Sequence, residues 1–214
     1  LTWEDIRSNQ LHFSRYRMQS KVILTTTAIL ILFPALYFYF GEFRQESFGT
    51  RLLLSLFQSV TPRTAGFNTA DFSQLSASGQ MLTIILMLIG GSPGSTAGGM
   101  KTTTLAVLTA TAVSVFRRNE TPELFKRRIA TETVANAASI LMMYLSLCLT
   151  GAFLISRIEE LPMMACMFET ASAVGTVGLS FGITPGLGSI SRIILIILMY
   201  LGRVGGLTLI YAAL

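Results

Sequence analysis

Two long runs of apolar residues without a charge stand out along the chain. The first covers residues 22–41 and the second covers residues 133–156, and neither contains Asp, Glu, Lys or Arg. A helix needs about 20 apolar residues to cross the hydrocarbon core of a bilayer. The pattern therefore predicts two membrane-spanning helices.

Each long run is followed by a polar stretch and then by a short apolar segment, at residues 52–60 and 163–171. A helix of this length rises about 14 Å, against about 30 Å for the hydrocarbon core. Such a segment must enter the membrane and turn back. Because non-helical backbone at that depth is stable only inside protein or beside a water-filled path, we predict two pore helices, each followed by a turn that faces a polar cavity.

The whole pattern occurs twice, at an offset of 112 residues. Gly90 recurs as Gly202, and a Thr-x-Gly turn at residues 64–66 recurs at residues 176–178. An offset that retains glycines and polar residues as well as apolar ones indicates an internal repeat.

The repeat divides the chain into two units, residues 1–116 and residues 117–214. Each unit has the order spanning helix, pore helix, filter loop, spanning helix, so the predicted fold class is all-α and integral to the membrane, with two tandem units of potassium-channel-like type. The chain lacks an initial Met and stops at Leu214 inside an apolar run, which truncates the last helix. We therefore expect a fragment of a longer protein.

The Thr-x-Gly turns carry the candidate ion-binding chemistry. A glycine frees the backbone to aim successive carbonyl oxygens in one direction, and four such loops replace the hydration shell of potassium in selectivity filters. Thr-x-Gly is also a common tripeptide of ordinary turns, but here it follows a predicted pore helix in both units. The candidate filter residues are Thr64, Ala65, Gly66 and Phe67 in the first unit, and Thr176, Val177, Gly178 and Leu179 in the second.

A glycine-rich stretch interrupts the second spanning segment of the first unit. Residues 90–104 read GGSPGSTAGGMKTTT, and Gly and Pro at that density break a helix. We predict two half-helices joined by an irregular loop inside the membrane, which forms a mobile obstruction beneath the filter. The candidate gate residues of this loop are Gly90, Gly91, Ser92, Gly94, Ser95, Gly98, Gly99 and Lys101.

The same stretch imitates the phosphate-binding sequence GxxxxGK[ST]. Residues 94–102 read GSTAGGMKT, in which Met100 separates the last Gly from Lys101. An apolar helix precedes it, whereas a phosphate-binding loop follows a buried strand. A nucleotide-hydrolysing enzyme is thus an alternative that the pattern disfavours, and we predict that the chain is not an enzyme.

Two charged residues lie inside the predicted membrane segments of the second unit. Arg203 occupies the repeat position of Gly91, and an arginine in the middle of a spanning helix costs about 3 kcal/mol on insertion scales, which favours a place facing the pore. We expect Arg203 to face the glycine-rich loop across the pore; the alternative is a side chain that reaches the membrane surface from a helix end. Glu169 precedes the second filter, and we expect its carboxylate to accept hydrogen bonds from backbone amides and support the filter. The alternative is a direct role in ion binding, which its distance of seven residues from Thr176 disfavours.

Composition and charge agree with a membrane protein. The chain is 51% hydrophobic and 13% charged, with a mean hydropathy of +0.61, too apolar for an ordinary soluble domain. The net charge of +5 at pH 7 does not indicate a nucleic-acid partner, because the basic residues collect at the N-terminus and between the units. The positive-inside rule places both segments in the cytoplasm. Cys148 and Cys166 lack metal-type spacing, and we interpret them as packing residues.

The glycine-rich loop, the two Thr-x-Gly turns and the intramembrane arginine together resemble the Trk/Ktr/HKT superfamily of potassium transporters, over essentially the whole chain. In that family one chain carries four units around a single pore. The loop belongs to the third unit and the arginine to the fourth, so the chain resembles the C-terminal half of a bacterial KtrB or TrkH membrane subunit.

The resemblance implies a role for each candidate residue and for the whole protein. Residues 90–104 with Arg203 would form the gate, and a non-conducting assembly subunit is a second alternative. The family further implies potassium uptake across the plasma (inner) membrane by a multi-pass protein, with sodium as a competing or coupled cation. It implies no cofactor in this chain, a homodimer, and a cytoplasmic ring of nucleotide-binding regulatory subunits of the RCK/KTN type. The carbonyl groups that would bind potassium are those of Thr64, Ala65, Gly66, Thr176, Val177 and Gly178.

Overall fold

The computed structural model describes residues 5, 12, 15–118, 121–125 and 127–204. These residues fold mostly into helices, which confirms the predicted class. In chain order the α-helices are α1 (Met18–Gly41), α2 (Phe48–Val60), α3 (Ala77–Leu88), α4 (Thr102–Phe116), α5 (Thr131–Glu159), α6 (Met163–Gly175) and α7 (Ser189–Val204). Short 3-10 helices at Phe72–Gln74 and Thr184–Gly186 precede α3 and α7.

Helices α1 and α5 are the two predicted spanning helices. They contain 24 and 29 residues, and both are long and apolar enough to cross a membrane. Large apolar side chains are exposed on the outside of the described bundle, with Phe33 of α1 64% exposed and Tyr200 of α7 69% exposed. An apolar surface of this extent is typical of contact with lipid or protein rather than water.

Helices α2 and α6 are the predicted pore helices, and each is longer than predicted. Both contain 13 residues and rise about 20 Å, which is still too short to span a bilayer. Helix α2 begins four residues before the predicted start. Polar groups hold this first turn: the amide of Arg51 donates to the Ser47 carbonyl at 2.8 Å, and the hydroxyls of Ser47 and Thr50 lie 3.0 Å apart. A search for apolar runs misses such a turn.

Helix α6 lies at the centre of the fold. It packs against α5 and α7 of its own unit and against α3 of the first unit. The rings of Phe168 and Phe181 stack with their centroids 3.9 Å apart, and Phe72 lies 5.5 Å from Phe168. Because α6 is surrounded in this way, the filter turn that follows it has a fixed position.

The glycine-rich loop joins two half-helices, as predicted. Helix α3 ends at Leu88 and α4 begins at Thr102, so the loop comprises residues 89–101. The predicted loop covered residues 90–104, and this prediction was wrong at the C-terminal end. Thr102, Thr103 and Thr104 belong to the first turn of α4 and not to the loop.

Backbone hydrogen bonds close the two ends of this loop. The amide of Gly90 donates to the Met100 carbonyl at 2.8 Å, Met100 donates to Leu88 at 3.0 Å, and Thr102 donates to Gly91 at 3.2 Å. We call these paired residues the neck of the loop. The neck fixes both ends and leaves residues 92–99 between them.

A small hairpin between the units was not predicted. Strands β1 (Glu123–Leu124) and β2 (Arg127–Arg128) pair antiparallel, and Arg128 Nε lies 3.7 Å from Glu123 Oε1. Strands of two residues carry no periodic signal in a sequence. The predicted truncated end of the last helix, residues 205–214, lies outside the described residues, as does Arg7 of the basic N-terminal segment.

Candidate ion pathway and gate

The second Thr-x-Gly turn follows its pore helix directly, the first follows after three residues, and both share an unusual backbone. Thr64 and Thr176 have φ angles of +68° and +52°, and Gly66 and Gly178 have φ angles of +73° and +93°. The left-handed region costs a residue with a Cβ about 1–2 kcal/mol. Non-glycine residues kept in this region concentrate at functional sites, and here they occupy the same position of both repeats.

The amides of the first turn point back to the pore helix. Ala65 and Gly66 both donate to the Thr61 carbonyl, at 3.2 Å each. Because the N–H and C=O of one peptide point in opposite directions, the carbonyls of Thr64 and Ala65 point away from α2. The carbonyl of Phe67 instead accepts a 2.6 Å bond from the Thr61 hydroxyl, so it is directed at the protein and does not suit an ion ligand.

The second turn repeats this arrangement with different partners. The amide of Val177 donates to the Ser172 carbonyl at 2.9 Å, and the amide of Gly178 donates to Ser172 Oγ at 3.1 Å. The carbonyls of Thr176 and Val177 therefore point away from α6. The side chain of Leu179 is buried and anchors the end of the turn.

The two turns meet in space. A Cβ atom at Gly66 would lie 2.2 Å from the carbonyl oxygen of Val177, so only a glycine permits this approach. The structure thus brings both predicted filter segments to one narrow place, although they are 112 residues apart in the chain.

Glu169 fastens the segment that follows the second turn. Its buried carboxylate accepts hydrogen bonds from the Ser180 hydroxyl at 2.7 Å, the Phe181 amide at 2.9 Å and the Thr184 hydroxyl at 2.8 Å. The predicted bonds from backbone amides are thus represented by one amide, and two hydroxyls supply the rest. The supported segment lies beyond the filter rather than behind it.

Arg203 on α7 reaches the glycine-rich loop. Its Nη1 donates to the carbonyl of Thr96, so the contact is five residues away from Gly91, which shares its repeat position. The same side chain lines an open cavity of about 540 Å³ beside the filter residues Thr176 and Val177. It also lines a cavity of about 310 Å³ beside the loop, which places it where the two cavities adjoin.

Lys101 holds the loop from its other end. Its Nζ donates to the Ala97 carbonyl at 2.6 Å and to the Ser95 carbonyl at 3.4 Å. Together with Arg203, it binds three successive carbonyl groups, so two cationic side chains fix the tip of the loop.

Two carboxylates for which the sequence predicted no role accept hydrogen bonds at the N-terminal ends of α3 and α7. Glu42 accepts a 3.0 Å bond from the amide of Ser76, the N-cap of α3. Glu159 accepts bonds from the Gly188 amide at 2.9 Å and the Ser191 hydroxyl at 2.5 Å, at the start of α7. A negative charge is favourable at a helix N-terminus. The signal that could have found them is an acid at the end of each spanning run.

Asp71 caps the short helix that leads from the first filter to α3. The Ser73 hydroxyl donates to it at 2.6 Å and the Ser73 amide at 2.9 Å. These bonds, that of the Ser73 hydroxyl foremost, lower the pKa of the Asp71 carboxyl. The loop after the first filter is therefore best ordered where Asp71 is ionised.

A family model with the description "TrkH: Cation transport protein" matches residues 18–214. The chain is 39% identical over 223 aligned residues to the potassium/sodium uptake protein NtpJ of Enterococcus hirae, covering 100% of the chain and 49% of that protein. It is 34% identical to the Ktr system potassium uptake protein B of Bacillus subtilis, covering 97% of the chain and 48% of that protein. The chain thus spans about half the length of these relatives.

Among solved structures, the crystal structure of the potassium transporter TrkH from Vibrio parahaemolyticus is similar to this chain. The TM-score is 0.74, with 92% of this chain and 44% of that chain covered, at 20% sequence identity. A likeness at this identity establishes the fold, and it agrees with the helical architecture described above.

Proposed function

The chain belongs to the TrkH family of cation transport proteins, and we propose that it forms part of a pore for potassium uptake across the plasma membrane. The observation that carries this proposal is the orientation of the two Thr-x-Gly turns. Their amides are bonded to the pore helices, so their carbonyls point away from those helices, as binding of a cation requires.

Potassium would shed its hydration shell at these carbonyl oxygens. The ligands that the geometry supports best are the carbonyls of Thr64, Ala65, Thr176 and Val177, with those of Gly66 and Gly178 completing each turn. A filter of this kind uses four loops. Since the chain spans about half the length of its relatives, we propose that two further units of the full-length protein supply the other half of the ring.

The glycine-rich loop would close this pathway from the cytoplasmic side. Arg203 and Lys101 bind its carbonyls, and their charges repel a potassium ion. At an effective dielectric constant of about 20, two unit charges 4 Å apart interact by about 4 kcal/mol. The loop therefore obstructs the pathway both by its bulk and through the cations that hold it.

We further propose the partners that the family resemblance implies. These are the lipid bilayer, a second copy in a homodimer, and a cytoplasmic ring of nucleotide-binding regulatory subunits. The exposed arginines Arg117, Arg118 and Arg127 lie between the units, on the side assigned to the cytoplasm. We propose no cofactor for this chain, and nucleotide would act only on the regulatory ring.

Uptake by cells that lack other potassium systems tests the function. Expression of the full-length protein should restore growth at low external potassium and should raise the initial rate of potassium uptake. Sodium should compete or co-transport, as the name of the Enterococcus hirae relative suggests for that protein. If the folded protein reaches the membrane and no cation enters the cells, the result would favour the alternative of a non-conducting assembly subunit. Nucleotide binding by the purified membrane subunit alone would favour the enzyme alternative.

A further inference from the structure

The glycine-rich loop touches the second filter turn at Gly98. A Cβ atom at this position would lie 2.1 Å from Thr176 Oγ1 and 3.0 Å from the Gly175 carbonyl oxygen. The first distance leaves no room for a side chain. Gly98 is buried and, unlike Gly94 and Gly99, it does not have a positive φ angle. The requirement for glycine at residue 98 is therefore one of space and not of backbone conformation.

Gly98 is also held from behind. A Cβ atom at Gly90, in the neck of the loop, would lie 1.9 Å from the carbonyl oxygen of Gly98. The neighbouring carbonyl of Ala97 is bound by Lys101 at 2.6 Å. The peptide at residue 98 is thus packed closely between the neck on one side and the second filter turn on the other. A shift of the loop must move it relative to Thr176.

Thr176 is the first residue of the second filter turn, and in the proposed pore, where α6 enters the membrane from outside and the chain returns outward after the turn, it would be the innermost residue of that turn. We propose that Gly98 is the seat of the gate, where the loop backbone rests on Thr176 in the closed pore. Release of the loop and exposure of the inner end of the filter are then a single event. This inference rests on the proposed function, and it assigns a positioning role to one glycine of the loop.

The first test is a set of substitutions in the full-length protein. Gly98→Ala adds one methyl group and creates no backbone strain, so it should prevent the loop from seating and raise the rate of potassium uptake several-fold per folded molecule. Thr176→Ala removes Oγ1, the nearest colliding atom, whereas Thr176→Ser keeps it. Adding Thr176→Ala to Gly98→Ala should therefore return uptake close to that of the Thr176→Ala single variant. Adding Thr176→Ser should leave the effect of Gly98→Ala in place.

This pattern separates a seat from a general disturbance of the loop. A collision inside the loop is the matched control: a Cβ atom at Gly91 would meet Ser95 Oγ at 2.6 Å and Ala97 Cβ at 2.9 Å, so the effect of Gly91→Ala should not depend on residue 176. The proposal is overturned if Gly98→Ala leaves uptake unchanged, or if its effect is the same with Thr, Ser and Ala at residue 176.

A second measurement does not depend on transport. With Cys148 and Cys166 replaced, Gly98→Cys and Thr176→Cys should form a disulfide under mild oxidation, detected by mass spectrometry of the digested protein. Cβ of residue 98 would lie 3.0 Å from Thr176 Cβ, and a shift of about 1 Å gives ordinary disulfide geometry. Gly94→Cys with Thr176→Cys is the control, because a Cβ atom at Gly94 meets nothing within 4 Å.

The cross-linking and uptake measurements together distinguish failure of this inference from failure of the proposed function. If the pair at residues 98 and 176 cross-links no better than the control pair, the contact does not exist in the membrane and the inference is wrong. If it cross-links but the unmodified protein carries no cation, the contact stands and the proposed function fails instead.

Discussion

Glu169 shows how a single buried charge orders the segment that follows the proposed filter turn. Its carboxylate is bound by three donors from one short segment, and hydrogen bonds to a charged group contribute about 1.5–3 kcal/mol each. The residues that supply the donors, Ser180 and Thr184, follow the filter. The segment is thereby fixed relative to α6, and the position of the filter carbonyls depends on it.

We expect Glu169→Gln to lower both stability and ion discrimination. Glutamine has the same size, but it lacks the charge and turns one acceptor into a donor, so all three bonds lose their charge assistance and at least one must be lost or reversed in direction. The melting temperature in detergent should fall, and the ratio of potassium to sodium uptake should decrease. Glu46→Gln, at an exposed loop position, is the control. An unchanged melting temperature and uptake ratio for Glu169→Gln would show that the clamp has no functional role.

Gly178→Ser should weaken the discrimination between potassium and sodium. At φ of +93° a side chain is strained, and its Cβ would project into open space beside the turn, where the hydroxyl competes for the ion. The relative uptake of the two cations measures the effect. Gly186→Ser is matched for open space, but its φ is not positive and it lies outside the filter, so it should leave the ratio unchanged. If both variants keep the ratio, Gly178 is only a turn residue.

At the scale of elements, the glycine-rich loop combines a fixed neck with a cation-held tip. The sequence predicts that a helix breaks here, because the glycines and the proline are local signals. The repeat also predicts that Arg203 faces this loop, but the sequence does not predict the neck or the particular bond from Arg203 to Thr96, which joins residues 107 positions apart. The bond from Arg203 to Thr96 depends on how α7 packs against α6, and no local sequence pattern encodes that packing. The polar first turn of α2 escaped prediction for the related reason that it carries no apolar signal.

Shortening the tip of the loop should raise flux without preventing folding. The neck residues are bonded to each other, so a deletion confined to residues 92–97 keeps them, whereas one that includes Met100 breaks the neck. We expect the tip deletion to increase the rate of potassium uptake and to keep the ion preference. A tip deletion that reaches the membrane in native amount and transports no faster would remove the loop from the gate.

Substitutions of Arg203 should separate its charge from its hydrogen bond. Arg203→Ala and Arg203→Gln remove the charge and should speed potassium flux, while Arg203→Lys keeps the charge and should stay closer to the unmodified protein. Flux per folded molecule is the quantity to compare. If all three substitutions reduce the amount of folded protein alike, Arg203 is instead a packing residue whose planar guanidinium lysine cannot replace.

At the scale of the whole molecule, the fold places two similar units around one narrow region. The repeat, the spanning helices and both Thr-x-Gly turns could be predicted from the sequence, because each leaves a periodic or local pattern. The sequence marks Glu42 and Glu159 as acids at the ends of the spanning runs, but it does not give their partners Ser76 and Gly188, which belong to distant segments. Contacts within an element are visible in a sequence, whereas contacts between elements require the fold.

The central claim is that carbonyl oxygens of the two Thr-x-Gly turns bind a dehydrated potassium ion. The most direct measurement is the position of a heavy potassium substitute, thallium or rubidium, by anomalous scattering from crystals of the full-length protein. We predict density in direct coordination with the carbonyls of Thr64, Ala65, Thr176 and Val177, and its loss when sodium replaces these ions. Density elsewhere, with none between the two turns, would contradict the account.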